Sequence, residues 1–267
     1  MLTMEGLGHA GQRRFGPEDD PLRWHVMIDP IDGTRGLMYD KRAAWFLATA
    51  APALASAPSL ASATAAAMVE LPTSKQGWAD DFMADEAGAL IGRRVDLASG
   101  RALPLPVGPS SASRLEHGFA HVVSFFPGIH RLAADLTETI AAATTRALPG
   151  QAVLFNDQYI STGGQIVELM SGRDRFCCDL RPLFQDILRR QGMTPASAGL
   201  ECHPYDMAGL LLARRAGVIV TDGFGRDLDA PFDVISGVHW CGYANAAIQS
   251  LVAPVVRDWL AQHGVAP

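Results

Sequence analysis

Four acidic residues stand where acids could do chemistry together. Asp29 and Asp32 flank Pro30 and Ile31 in Asp-Pro-Ile-Asp-Gly-Thr, directly after the apolar run Trp-His-Val-Met-Ile. Asp206 heads the apolar stretch Asp-Met-Ala-Gly-Leu-Leu-Leu-Ala, and Glu5 sits in Thr-Met-Glu-Gly near the start. Each has an ordinary reading. Asp-Pro and Asp-Gly are turn dipeptides that end a strand, an Asp ahead of an apolar run caps a helix, and a Glu near a terminus is solvated. Together they describe a site for a hard divalent cation. Mg²⁺ takes oxygen ligands from a few carboxylates and leaves positions for water and a phosphate. A stiff Asp-Pro-Ile-Asp turn aims two carboxylates and the Ile31 carbonyl at one point. Gly33 and Thr34 then open a segment whose leading N–H groups, if helical, face an anion. Carboxylates, a cation and N–H groups meeting in one place are what hydrolysis of a phosphate ester requires.

The elements that would position these residues follow from periodicity. Residues 24–28 read as a buried strand, short, apolar and stopped by Asp-Pro. Residues 43–51 and 65–71 give two more strands, and 78–105 read as hairpin strands broken by glycine. Beyond them strand and helix alternate. A strand at 117–126 precedes a helix at 129–148, where Ile129, Leu132, Ala133, Leu136, Ile140 and Ala143 fall at helical spacing. A strand at 152–157 leads to a short helix capped by Ser161 or Thr162 and closed by Gly172. Then come a strand at 174–180, helices at 183–192 and 205–217, strands at 218–222 and 238–243, and a helix from about Asn245. This order indicates a layered α/β fold, with a strand-rich half at 1–127 and an α/β half at 128–267, tightly packed.

Composition narrows the partners. With 48% hydrophobic and 19% charged residues, the 267-residue chain is that of a globular protein. Its formal net charge of −6 argues against a nucleic-acid polymer or an anionic membrane. Cys177, Cys178, Cys202 and Cys241 lack metal-site spacing and read as reduced thiols in a cytoplasm. The start of the chain carries glycines and charges, so no signal peptide is expected. Residues 47–68 are rich in alanine and serine with two prolines, too weakly apolar for a spanning helix. They read as strand ends joined by a flexible loop.

The motif at 29–34, with Tyr-Asp-Met-Ala-Gly at 205–209 and Val-Thr-Asp-Gly at 220–223, resembles the inositol monophosphatase family. Members carry Asp-Pro-Ile-Asp-Gly-Thr and, much later, Trp-Asp-x-Ala-Ala/Gly followed by a helix, a strand, Thr-Asp and Gly. Residues 78–90 resemble the family's hairpin ending in a Gly-Ala pair, and 161–176 its small-residue helix followed by Gly-x-Ala-Asp and an aromatic. The resemblance implies an αβαβα sandwich lacking the first helix pair, and a Mg²⁺-dependent phosphomonoesterase. It implies that Asp29, Asp32 and the Ile31 carbonyl ligate metal, and that Asp206 ligates a second ion while facing the substrate. Gly33 and Thr34 would hold phosphate, with the Thr34 hydroxyl orienting the attacking water. Ser161, Thr162 and Gly163 would line the substrate pocket, and Glu201 would receive a sugar or inositol hydroxyl. The strand-rich half would thus bind metal and phosphate, and the α/β half the substrate.

Two departures qualify the resemblance. The family begins with a helix pair and a Glu-Glu motif that supplies another metal ligand and a further acid. Here Glu5 stands alone at about that place beside Met4, so it is the expected ligand and catalytic acid, with residues 16–20 a weaker substitute. The chain is accordingly expected to be shortened, or incomplete, at this end. The interval from Asp32 to Asp206 is expected to hold insertions near 54–64 and 181–199. A small phosphorylated polyol, sugar or nucleotide is the expected substrate. Asp-Gly-Thr-Arg-Gly-Leu also resembles a pattern of 3′-phosphoadenosine phosphatases, which keeps 3′-phosphoadenosine 5′-phosphate open beside fructose-1,6-bisphosphate. Competing readings are a catalytically impaired metal- or phosphate-binding or regulatory homologue, and a scaffold that uses the motif only as a turn. A homodimer is left open.

Overall fold

Alternating apolar residues in the first part of the chain build one large sheet. Its strands are β1 (Leu2–Met4), β2 (Gln12–Arg13), β3 (Trp24–Asp32), β4 (Ala44–Pro52), β5 (Ala65–Leu71), β6 (Trp78–Ala84), β7 (Ile91–Asp96) and β8 (Ala102–Pro104). The order is β2-β1-β3-β4-β5-β6-β7-β8, antiparallel throughout except that β1 runs parallel to β3. The second sheet contains β9 (Gly118–Val122), β10 (Leu154–Phe155), β11 (Asp174–Asp179), β12 (Ile219–Thr221) and β13 (Trp240–Tyr243), in the order β10-β9-β11-β13-β12. The strand expected at 152–157 contracts to the two residues of β10. The computed structural model describes residues 1–7, 11–53, 57–146, 148–194 and 199–266. Residues 54–56 of the expected loop and 195–198 of the expected second insertion lie outside these.

The helices are α1 (Thr34–Met38), α2 (His130–Thr144), α3 (Thr162–Met170), α4 (Arg181–Arg190), α5 (Leu210–Ala216) and α6 (Ala246–Gln262). Two hydrophobic cores fix their places. The first joins Met68 and Phe82 of the large sheet to Ile166 and Leu169 of α3, Leu212 of α5, and Cys177 and Trp240 of the second sheet. The second joins Ala120, Phe176 and Tyr243 to Leu136 and Ile140 of α2, Phe184 of α4, and Val252 and Trp259 of α6. The described chain is therefore layered as sheet, helices, sheet, helices. This is the sandwich that the family resemblance implies without its first helix pair. Among the described residues, no helix is long and apolar enough to cross a membrane.

Two local expectations change. Asp-Pro-Ile-Asp is not a turn that ends a strand, because β3 continues through Asp32. Asp29 lies opposite Leu47 and Asp32 opposite Trp45, so three steps on β3 match two on β4. The extra residue is a β-bulge, a place where proline, having no N–H to give to a ladder, is tolerated. The helix expected at 205–217 also divides: Pro204–Met207 is a 3₁₀ turn, and α5 begins only at Leu210. At the break, a Cβ on Gly209 would lie 2.5 Å from the Met68 sulfur, so glycine here lets the chain press against the large sheet.

Gly164 tests the packing between sheet and helix. A Cβ there would meet three ring carbons of Tyr159 at 2.6–2.7 Å. That ring cannot swing freely, because its hydroxyl accepts from Trp45 Nε1 and donates to the Ala43 carbonyl. Glycine to alanine inside a helix ordinarily stabilises by up to about 1 kcal/mol. Gly164→Ala should instead destabilise by about 1–3 kcal/mol, the usual cost of overpacking. Thermal melts decide the sign.

Candidate active site

The bulge decides where the first two carboxylates point. In a regular strand, side chains three residues apart face opposite sides of the sheet. One inserted residue restores the same side, so Asp29 and Asp32 are both buried while Ile31 between them is exposed. Asp29 accepts from the Ile31 N–H at 3.0 Å, which closes the bulge. Asp32 is held from across the molecule: its Oδ2 accepts from Ser161 Oγ at 2.9 Å and from the Gly163 N–H at 2.6 Å. Gly163 has to be small, since a Cβ would lie 2.6 Å from Leu47 and 3.1 Å from that carboxylate oxygen.

Asp206 arrives on the 3₁₀ turn. Its carboxylate reaches back to accept from the His203 N–H at 2.7 Å, so it closes the turn from inside rather than capping a helix. Oxygens of Asp29, Asp32 and Asp206 all lie within 4.8 Å of one another. Burial, and then the Asp32 charge, push Asp29 up to about 7. Burial pushes Asp32 up to about 6 against the pull of its Gly163 and Ser161 donors. Asp206 is raised as well, by burial and by Asp32. The nearest buried cation is Arg181, but its guanidinium is committed to Asp179 at 2.6 Å and stacks on Phe125 and Phe126. Three acids that resist being ionised together, with the buried guanidinium beside them already paired to Asp179, form a donor set that fits a hard divalent ion.

These groups form the floor of a cavity of about 310 Å³. Glu5, Asp29, Ile31, Asp32, Gly33, Thr34, Ser161, Thr162, Glu201 and Asp206 all line it, whereas Gly163 lies behind the wall with its N–H on Asp32. Glu5 is delivered by β1, whose Met4 pairs with Ile28, and its charge reaches Asp29, but it is exposed and outside the close triad. Gly16, Pro17 and Asp20, from the weaker alternative at 16–20, line a different cavity beside Phe15 and Trp24. The Thr34 hydroxyl donates to the Ile31 carbonyl at 2.7 Å, which leaves its lone pairs to accept from a water. Gly33 takes a left-handed φ of 92°, and α1 after it is a single short turn of five residues. The Ser161 hydroxyl is doubly engaged, donating to Asp32 and accepting from the Gly164 N–H at 2.8 Å.

Sequence reasoning missed Arg181, Phe125, Phe126, His203 and Tyr205, all on the cavity wall. Asp-Leu-Arg-Pro at 179–182 did carry a signal. An arginine at the junction of an apolar strand and a helix needs a nearby acid, and Asp179 stands two residues before it. The stacked rings of His203 and Tyr205, 5.3 Å apart, had no such mark.

The sheet-helix-sheet-helix stack of the described residues is the fold of the inositol monophosphatase and fructose-1,6-bisphosphatase type. Fructose-1,6-bisphosphatase of Leishmania major in its T-state matches with a TM-score of 0.64 at 11% identity, over 96% of this chain and 76% of that one. The extragenic suppressor protein suhB of Bartonella henselae matches with 0.56 at 15% identity, over 96% and 76%. SuhB of Mycobacterium tuberculosis matches with 0.56 at 13% identity, over 88% and 73%. No family model and no curated protein matches the sequence. At such identities the likeness establishes the fold.

The carboxylates set a pH dependence. Folded Asp29 and Asp32 keep protons that the unfolded chain releases near its ordinary pKa of about 4. Stability of the metal-free protein should therefore fall as pH rises from about 4 towards the folded values of about 7 and about 6. Asp32→Asn should flatten this fall and raise the metal-free melting temperature at pH 8, and a divalent cation should stabilise the parent there. Melting curves across pH, with and without chelator, measure both.

Proposed function

We propose that this chain is a Mg²⁺-dependent phosphomonoesterase acting on a small phosphorylated polyol, sugar or nucleotide. The observation that carries the reading is the triad Asp29, Asp32 and Asp206, within 4.8 Å on the floor of a cavity that also holds the Gly33–Thr34 turn. The likeness to a fructose-1,6-bisphosphatase supports it and makes fructose-1,6-bisphosphate one substrate to assay. Asp29, Asp32 and the Ile31 carbonyl would hold one ion, and Asp206 a second. When bound, such ions neutralise phosphoryl oxygens and lower the pKa of a water.

The remaining work belongs to the protein. The backbone at Gly33 and Thr34 cradles the phosphate, since glycine at positive φ lets the chain approach closely. Thr34, anchored on the Ile31 carbonyl, accepts a hydrogen bond from the attacking water and holds it in line with phosphorus. Ser161 and the Gly163 N–H keep the Asp32 carboxylate aimed. Glu201 and Thr162, on the cavity wall, receive hydroxyls of the leaving alcohol. Glu5 supplies the outer side of the first ion site from β1.

Phosphate release over a panel of phosphomonoesters, with and without Mg²⁺, tests the reading. Asp29→Asn, Asp32→Asn and Asp206→Asn should abolish release. Thr34→Val should slow it about a hundredfold, the scale of one positioned proton-handling group, with an unchanged melting temperature. Glu5→Gln should raise the Mg²⁺ concentration needed for half-maximal rate. No release from any ester at saturating Mg²⁺ would leave a binding or regulatory protein instead.

A further inference from the structure

The cavity over the acidic triad has a wall of the opposite character, lined by Phe125, Phe126, Ile160 and Leu200. Ile160 and Leu200 are each 47% exposed, and the two phenylalanines are half-buried. One exposed leucine needs no explanation, whereas large apolar side chains gathered around one cleft mark a contact site. The wall is also held in place. Phe125 packs on the first hydrophobic core and meets Phe126 edge to face, with ring centroids 6.2 Å apart. The Arg181 guanidinium lies over both rings, at 5.3 and 5.7 Å, and donates to the Leu200 carbonyl at 3.3 Å. Asp179 fixes that guanidinium at 2.6 Å, so one buried ion pair sets three of the four wall residues. Ile160 is set by its neighbour, since Ser161 donates to the Asp32 carboxylate.

Resting on the phosphatase reading, we propose that the leaving alcohol carries an apolar body, and that this body lies against Phe125, Phe126, Ile160 and Leu200 while the phosphate sits over the triad. Hydroxyls next to the ester still reach Glu201 and Thr162. An alcohol hydroxylated along its whole length is disfavoured, because its outer hydroxyls lose water against carbon and find no partner there. Arg181 is a positioning residue for this wall: it is committed to Asp179, the two rings and the Leu200 carbonyl. A wall already ordered before the ester arrives adds little ordering cost to binding.

Ethyl, butyl and hexyl phosphate, assayed with Mg²⁺, test this, because the reacting centre is the same in all three. Complete burial of a methylene favours binding about fourfold, and contact on one side only, about twofold. The value of kcat/KM should therefore rise about twofold per methylene, roughly sixteenfold from ethyl to hexyl phosphate. Leu200→Ser and Ile160→Ser, both at exposed positions, should each lower this slope, and together flatten it, with an unchanged melting temperature. A parent rate that does not grow with chain length, or a slope that survives in the double variant, overturns the proposal. If no ester is hydrolysed at saturating Mg²⁺, the phosphatase reading fails by itself. Calorimetry with ethyl-, butyl- and hexylphosphonate in Mg²⁺ then decides the wall. Affinity that climbs with chain length in the parent and not in the double variant upholds it, and equal affinity along the series refutes it.

Discussion

Carboxylates repel one another, and the region around buried Asp29 and Asp32 and half-buried Asp206 is organised to hold three of them within 4.8 Å despite that repulsion. Each is restrained by a different donor: the bulge N–H of Ile31, the hydroxyl and N–H at the start of α3, and the N–H of His203. Hydrogen bonds to the charged form lower a pKa, and burial raises it. Here burial prevails for all three. A metal-free site of this kind costs stability near neutral pH. A divalent cation removes that cost, which is the physical reason to read the cluster as a ligand set.

The layering supplies the convergence. β3 and α3 belong to adjacent layers, and Gly163 lets them approach until a backbone N–H reaches the Asp32 carboxylate. The 3₁₀ turn of Asp206 is pressed against the large sheet by the same device at Gly209. Arg181, the first residue of α4, offsets part of the negative charge without entering the triad, because Asp179 at the end of β11 holds it.

Much of this was legible in the sequence where the cause is local. Apolar runs, and glycine stops such as Gly172 and Gly217, mark strand and helix ends within a few residues. The Asp-Pro-Ile-Asp-Gly-Thr motif offered, by residue type, two of the three carboxylates that the fold brings together. Its conformation was not legible, because a turn and a bulge use the same residues and only the pairing of β3 with β4 distinguishes them. The engagement of Ser161 and Gly163 with Asp32 was equally hidden, since it depends on a contact across the fold rather than on neighbours in the chain. So too was the break before α5, which the apolar pattern of 205–217 runs straight through.

Binding of a hard divalent cation by the triad, through oxygen ligands, is open to direct measurement. Mn²⁺ shares that ligand preference and scatters anomalously, so a crystal structure of the protein grown with Mn²⁺ addresses the claim directly. An anomalous peak is expected within bonding distance of Asp29, Asp32 and Asp206 carboxylate oxygens, lost in Asp32→Asn. Full-occupancy Mn²⁺ bound elsewhere, with the three carboxylates left protonated and hydrogen-bonded to one another, would contradict it.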